Sequence, residues 1–205
     1  MRKTVSLAIA AATLAVAAPA SAGDLMLGVY AHDVTFVGEA VGLGAAGKED
    51  GQNIHLGWRS DRLDGFPSWM RGPRAHVFVS GNTAGDTSYI AAGLNWHVPL
   101  TDDGRVYLQP GIGLAVHDGY DVFPDYAEPS ITPEEFDRRV ALRSERIEFG
   151  SQVLFEPEIA IGYRLTDSTA VELSYVHLSN GQIFAQGKNE GLDEVGIRLV
   201  HRFGG

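Results

Sequence analysis

Along most of this chain apolar residues recur at every second position, the period of a β-strand with two unlike faces. Eight segments carry the pattern: residues 25–33, 53–63, 74–82, 88–100, 106–117, 147–164, 170–179 and 192–203. The fourth sets Ile90, Ala92, Leu94, Trp96 and Val98 against Tyr89, Ala91, Gly93, Asn95 and His97. Pro110 is awkward inside the fifth, because proline gives no N–H to a ladder. One helix is predicted, over 133–143, where Thr132-Pro133-Glu134-Glu135 supplies an N-cap, a first-turn proline and acidic residues.

The sixth segment decides which way the faces turn. Phe149, Val153, Phe155, Ile159 and Ile161 share one side, and Glu148, Gln152, Glu156, Glu158, Gly162 and Arg164 the other. A soluble barrel would enclose the apolar face. Four charged residues on the opposite face cannot line a small apolar core, whereas they can line a polar interior whose exterior meets lipid. The expectation is therefore an all-β fold, an eight-stranded antiparallel transmembrane β-barrel with polar interior and lipid-facing exterior. Eight strands leave an interior just filled by side chains, so these charges read first as a structural network.

Composition adds the compartment. Arg2 and Lys3, an apolar run over 5–18 and Ala20-Ser21-Ala22 form a secretory signal peptide over residues 1–22, leaving residues 23–205 as one barrel domain. The chain holds 25 glycines and no cysteine, so neither disulfides nor thiolate metal sites enter. Its net charge is −10, and loss of Arg2 and Lys3 makes it more negative still, which excludes nucleic acid as a partner. The expected location is the outer membrane of a Gram-negative cell.

Candidate chemistry lies at the end of the seventh strand. His177 and Ser179 are two residues apart, hence on one face and roughly 7 Å apart at Cα. Short turns belong on the periplasmic side and long loops outside, so strand seven rises toward the exterior and strand eight descends. Odd positions form the apolar row in both: Val171, Leu173 and Tyr175, then Val195, Ile197 and Leu199. His177, Ser179 and Asp193 continue those rows, and pairing Ser179 opposite Asp193 would bring the carboxylate beside His177. Serine, histidine and acid can serve as nucleophile, general base and orienter of the base. The plain alternative is that strand tops stand among lipid headgroups, where polar residues are ordinary.

At these residues the sequence resembles the lipid A 3-O-deacylase (PagL) family of outer-membrane barrels. The likeness rests on His177-x-Ser179-Asn180, on Asn189-x-Gly191-Leu192 followed by an acid, on Gly150-Ser151-Gln152-Val153-Leu154-Phe155-Glu156, and on Ile161-Gly162-Tyr163-Arg164. The resemblance implies a cofactor-free, metal-free serine esterase that removes the acyl chain at position 3 of lipid A in the outer leaflet, with lipopolysaccharide as substrate. Ser179 would be nucleophile, His177 base and Asp193 acid, where family members commonly carry glutamate. Glu190 and Glu194 are the alternative acids, Glu190 lying in the loop and Glu194 on the inward parity. Asn180, Asn189 and Gly191 are candidates for oxyanion or substrate-positioning donors. Arg138, Arg139, Arg143, Arg146 and Lys188 in outward loops could meet phosphates or simply form loop salt bridges. A phospholipid esterase shares the same triad. The reading from another class is a non-catalytic barrel acting through its loops as adhesin, structural protein or binder; monomer or homodimer is left open.

Overall fold

The structure, a computed structural model, describes residues 22–42 and 46–204; the expected signal peptide falls, apart from Ala22, outside the described residues. Eight antiparallel strands close into a barrel: β1 (Gly23–Ala31), β2 (Gln52–Arg62), β3 (Arg74–Asn82), β4 (Tyr89–Asn95, continued by Val98–Pro99), β5 (Val106–His117), β6 (Val153–Arg164), β7 (Thr169–Leu178) and β8 (Leu192–Phe203). Sequence neighbours pair in turn, and β1 with β8 closes the wall. The break in β4 at Trp96 and His97 lies opposite Pro110 and Gln109, and the register is the same on either side of it. The proline's missing donor interrupts the ladder without shifting it.

The wall is inside out relative to a soluble protein. Leu27, Val29, Ile112, Leu173 and Ile197 stand exposed on the outside, while Arg59, Glu156, Glu158, Glu172, Glu194 and Arg198 are buried within. That distribution is stable only where hydrocarbon surrounds the wall and every backbone polar group is paired, as closure ensures. Glycines admit large neighbours to the narrow lumen: a Cβ at Gly162 would lie 2.1 Å from the Tyr107 ring, and one at Gly196 2.4 Å from Tyr30.

In the lower half of the lumen, near the chain ends, Glu172 is the focus of a charge network. It accepts from both terminal nitrogens of Arg59 at 3.2 Å, from the Tyr107 hydroxyl at 2.9 Å and from Arg198 Nε. Arg198 reaches Glu158 at 2.8 Å, and Arg74 reaches Asp24 at 2.6 Å. Removing one partner of such a set strands buried charge. Glu172→Ala is expected to cost about 3–5 kcal/mol, read from urea unfolding of protein refolded in vesicles.

Higher up, the polar interior gives way to an apolar tier that includes Phe78, Ala115, Ile147, Phe149, Leu154, Val176, Leu178 and Leu192. Here the expected strand over 147–164 is corrected: residues 147–152 belong to the preceding loop, and Ile147 and Phe149 turn into the lumen, not outward. The loop ends by capping the barrel, so its side chains follow the plug and not the strand parity. Helix α1 (Phe36–Val41) went unforeseen, whereas α2 (Pro133–Glu145) starts as predicted, with the Thr132 side chain accepting from the Glu135 N–H.

A hub joins three loops to the lumen. His32 bonds Glu194 at 3.0 Å and Glu49 at 3.1 Å; Glu194 also meets His55 and the Tyr89 hydroxyl, each at 2.7 Å. Glu49 accepts from Thr87, Arg146 and the Ile147 N–H. Burial by itself would lower the His32 pKa, but bonds to Glu194 and Glu49 outweigh it and lift the value to about 9. Burial would raise Glu49, but His32, Arg146 and Thr87 hold it down to about 2. Unfolded, these groups titrate near 6.5 and 4.5. The His32 contribution is therefore complete below pH 6.5 and gone above about 9, and the Glu49 contribution is complete above pH 4.5 and lost toward 2. Thermal unfolding should show the advantage of the wild type over His32→Gln closing as pH rises through that upper window.

Candidate active site

Strand β7 carries Tyr175 and His177 outward, and its line continues to Ser179 by a reciprocal backbone pair with Phe155: Phe155 N–H to Ser179 O at 2.7 Å, Ser179 N–H to Phe155 O at 3.2 Å. The serine backbone is thus fixed to β6 although the strand proper ends at Leu178. Across the hairpin His177, not Ser179, faces Asp193. This corrects the expected register by two residues, and it places the Asp193 carboxylate directly beside the His177 imidazole.

His177 Nδ1 lies 2.5 Å from Asp193 Oδ1, and both side chains are almost wholly buried. Tyr175 donates its hydroxyl to the same oxygen at 3.0 Å. The Asp193 backbone carbonyl accepts from Val34 N–H at 3.0 Å, so the first long loop ties down the top of β8. With Nδ1 committed, Nε2 is the ring nitrogen left for a hydroxyl proton. Ser179 is half-buried, and among the described residues no hydrogen bond joins its hydroxyl to His177. Both residues stand on one outward row, and such contacts commonly tighten only when substrate is bound.

The alternative acids lie elsewhere. Glu194 points into the lumen, held by His32, His55 and Tyr89. Glu190 is paired with Lys48 at 2.7 Å and accepts the Glu148 N–H at 2.9 Å.

Asn180 is fully committed. Its side-chain amide donates to the carbonyls of Phe149 and Lys188 at 2.7 and 2.8 Å, and its backbone N–H donates to Asn189 Oδ1 at 2.8 Å. The expectation of an oxyanion donor at Asn180 is therefore corrected to a brace that holds the loop between β7 and β8. Asn189, oriented through its oxygen, retains its amide N–H groups without a partner among the described residues. Gly191 is buried at the entry to β8, its carbonyl accepting from Ala46 N–H at 3.0 Å. The loop arginines are mostly engaged within the protein: Arg138 and Arg139 with Glu135, Arg146 with Glu49, and Arg143 with the Tyr126 ring at 4.4 Å.

Two aromatic residues beside Ser179, Phe155 and Phe184, were not among the expected site residues. Phe155 stacks on Phe184 of the loop, centroids 4.6 Å apart. Phe155 also closes one end of an outward apolar depression of about 300 Å³, whose other walls are Ala92, Leu94, Ile112 and Leu114. Ala92 is the signal available in sequence, a small residue among large ones in an outward row.

The fold defines a class, an outer-membrane β-barrel, here with polar side chains set into the lipid-facing wall. Within that class the family follows. The profile of the lipid A 3-O-deacylase (PagL) family matches residues 52–202, and the chain belongs to this family. A crystal structure of the outer membrane enzyme PagL is similar over 87% of this chain and 98% of its own, with TM-score 0.55 and 15% identity. A de novo designed transmembrane β-barrel (TM-score 0.49, 8% identity, 89% and 96% covered) and Neisserial surface protein A (0.46, 12%, 90% and 98%) are also similar. No curated protein matches the chain.

Proposed function

We propose that this protein is a serine esterase that hydrolyses the ester-linked 3-hydroxyacyl chain at position 3 of lipid A in the outer leaflet. The observation that carries the reading is the His177 Nδ1 to Asp193 pair at 2.5 Å, buried in the lipid-facing wall on the row that ends at Ser179. Polar side chains at that position are costly in hydrocarbon, and a catalytic role accounts for them.

Ser179 Oγ attacks the ester carbonyl while His177 Nε2 takes its proton, and Asp193 fixes the ring and stabilises its charge. The tetrahedral intermediate expels the sugar hydroxyl, which receives that proton from His177. Water, activated by the same nitrogen, then releases the 3-hydroxy fatty acid from Ser179. Asn189 Nδ2 is the donor we assign to the oxyanion. The acyl chain, already in the membrane, lies in the depression beside Phe155.

The test is mass spectrometry of lipid A from cells expressing the wild type, with purified protein offered phospholipid in parallel. Loss of one 3-hydroxyacyl mass from lipid A is expected, with phospholipid intact. Cleavage of phospholipid alone would move the substrate while keeping the triad, and intact lipids of both kinds, with the barrel inserted, would favour a non-catalytic loop-binding barrel.

A further inference from the structure

The lower mouth of the barrel, the end that the loop-length rule places on the periplasmic side and opposite the end carrying Ser179, opens into a cavity of about 450 Å³. Six arginines line it, Arg59, Arg62, Arg71, Arg74, Arg164 and Arg202, against three aspartates, Asp24, Asp61 and Asp167. With Arg59 paired to Glu172 beneath, five arginines face three aspartates, and in a chain whose net charge is −10 this is still a local excess of positive charge. A concave, low-dielectric mouth of one sign concentrates counter-ions.

The aspartates do not neutralise it. Asp24 is shared by Arg74 at 2.6 Å and by Arg59 and Arg202 at 3.7 Å, and Asp61 is taken by Arg202. Among the described residues Arg62, Arg71 and Arg164 have no carboxylate within ion-pair distance. Arg62 is held in place by donating to the Arg71 carbonyl at 2.6 Å and by lying over Gly72, where a Cβ would meet its Nε at 2.0 Å. Independently, Arg59 at the floor is 1% exposed, and its Nε has no partner. A buried guanidinium donor left open calls for an acceptor.

We propose that this mouth binds a small phosphate-bearing anion, held by Arg62, Arg71 and Arg164 above the Arg59 floor. Guanidinium forks match phosphate oxygens in pairs. A carboxylate holds its two oxygens in one plane, whereas a phosphate spreads its oxygens tetrahedrally and can be approached from several sides by three unpaired guanidinium groups. The volume lies within the range of small-ligand sites. The phosphate can come from a soluble solute or from an inner-leaflet phospholipid headgroup.

Inorganic pyrophosphate, titrated calorimetrically into protein refolded in zwitterionic detergent, should bind saturably. The Arg62→Gln/Arg164→Gln double variant should bind it more weakly by about tenfold or more. In the wild type, pyrophosphate should also slow phenylglyoxal modification of Arg62 and Arg164, a readout that does not depend on the variant. Native mass spectrometry from vesicles of phosphatidylglycerol and phosphatidylcholine separates the sources. Selective retention of phosphatidylglycerol by the wild type, lost in the double variant, identifies the headgroup; saturation by pyrophosphate without such retention identifies a soluble ligand. Absence of both, or binding unchanged by the substitutions, overturns the site.

Discussion

Ser179→Ala is expected to abolish the removal of the 3-hydroxyacyl chain while leaving the barrel folded and inserted. Losing the nucleophile of a serine hydrolase costs on the order of 10⁴-fold or more, because the acyl-enzyme route disappears as a whole. The structural cost is small. Ser179 is held through its backbone pair with Phe155, which alanine preserves, and its hydroxyl makes no hydrogen bond among the described residues. Lipid A from cells carrying the variant should keep its full mass, with the variant present at wild-type levels in the outer membrane. Activity surviving within tenfold would remove Ser179 from the reaction.

Asp193→Asn should be nearly as severe, with a loss of about 10³–10⁴-fold, because the imidazole then loses the partner that fixes its tautomer and its charge. The side chain remains the same size, and Tyr175 can still donate to the amide oxygen, so a collapse of packing is not the expected cause. Glu190→Gln, which loosens the pair with Lys48, should fall by less than about tenfold, since an ion pair this open contributes little. Release of 3-hydroxy fatty acid by the two purified variants distinguishes the acids directly. A larger loss in Glu190→Gln than in Asp193→Asn would reverse the assignment.

The fold was legible because alternation is local: in a strand with one lipid face, each residue reports its own side. The bounds Arg74–Asn82, Val106–His117 and Leu192–Phe203 follow from that pattern alone. It misleads at Ile147 and Phe149, which keep the period yet belong to a loop folded into the lumen. The outward placement of His177 and Asp193 was legible for the same reason of parity. The carboxylate was expected beside the imidazole, but from a register two residues away, because hairpin register depends on how residues 179–191 fold, and Asn180 fixes that fold through contacts no period encodes. The hub of His32, Glu49, Arg146 and Glu194 draws on residues far apart in the chain, each of which looks like an ordinary polar loop or strand position by itself.

His177 and Asp193 are buried side chains on the membrane-facing rows of the wall. In the proposed reaction the substrate arrives by lateral diffusion in a plane, and its concentration in solution does not enter. Saturation is governed by how many substrate molecules share each patch of leaflet, so the proper Michaelis constant is a mole fraction. Adding inert amphiphile would slow turnover by dilution in two dimensions, with every bulk molarity of enzyme and lipid A unchanged.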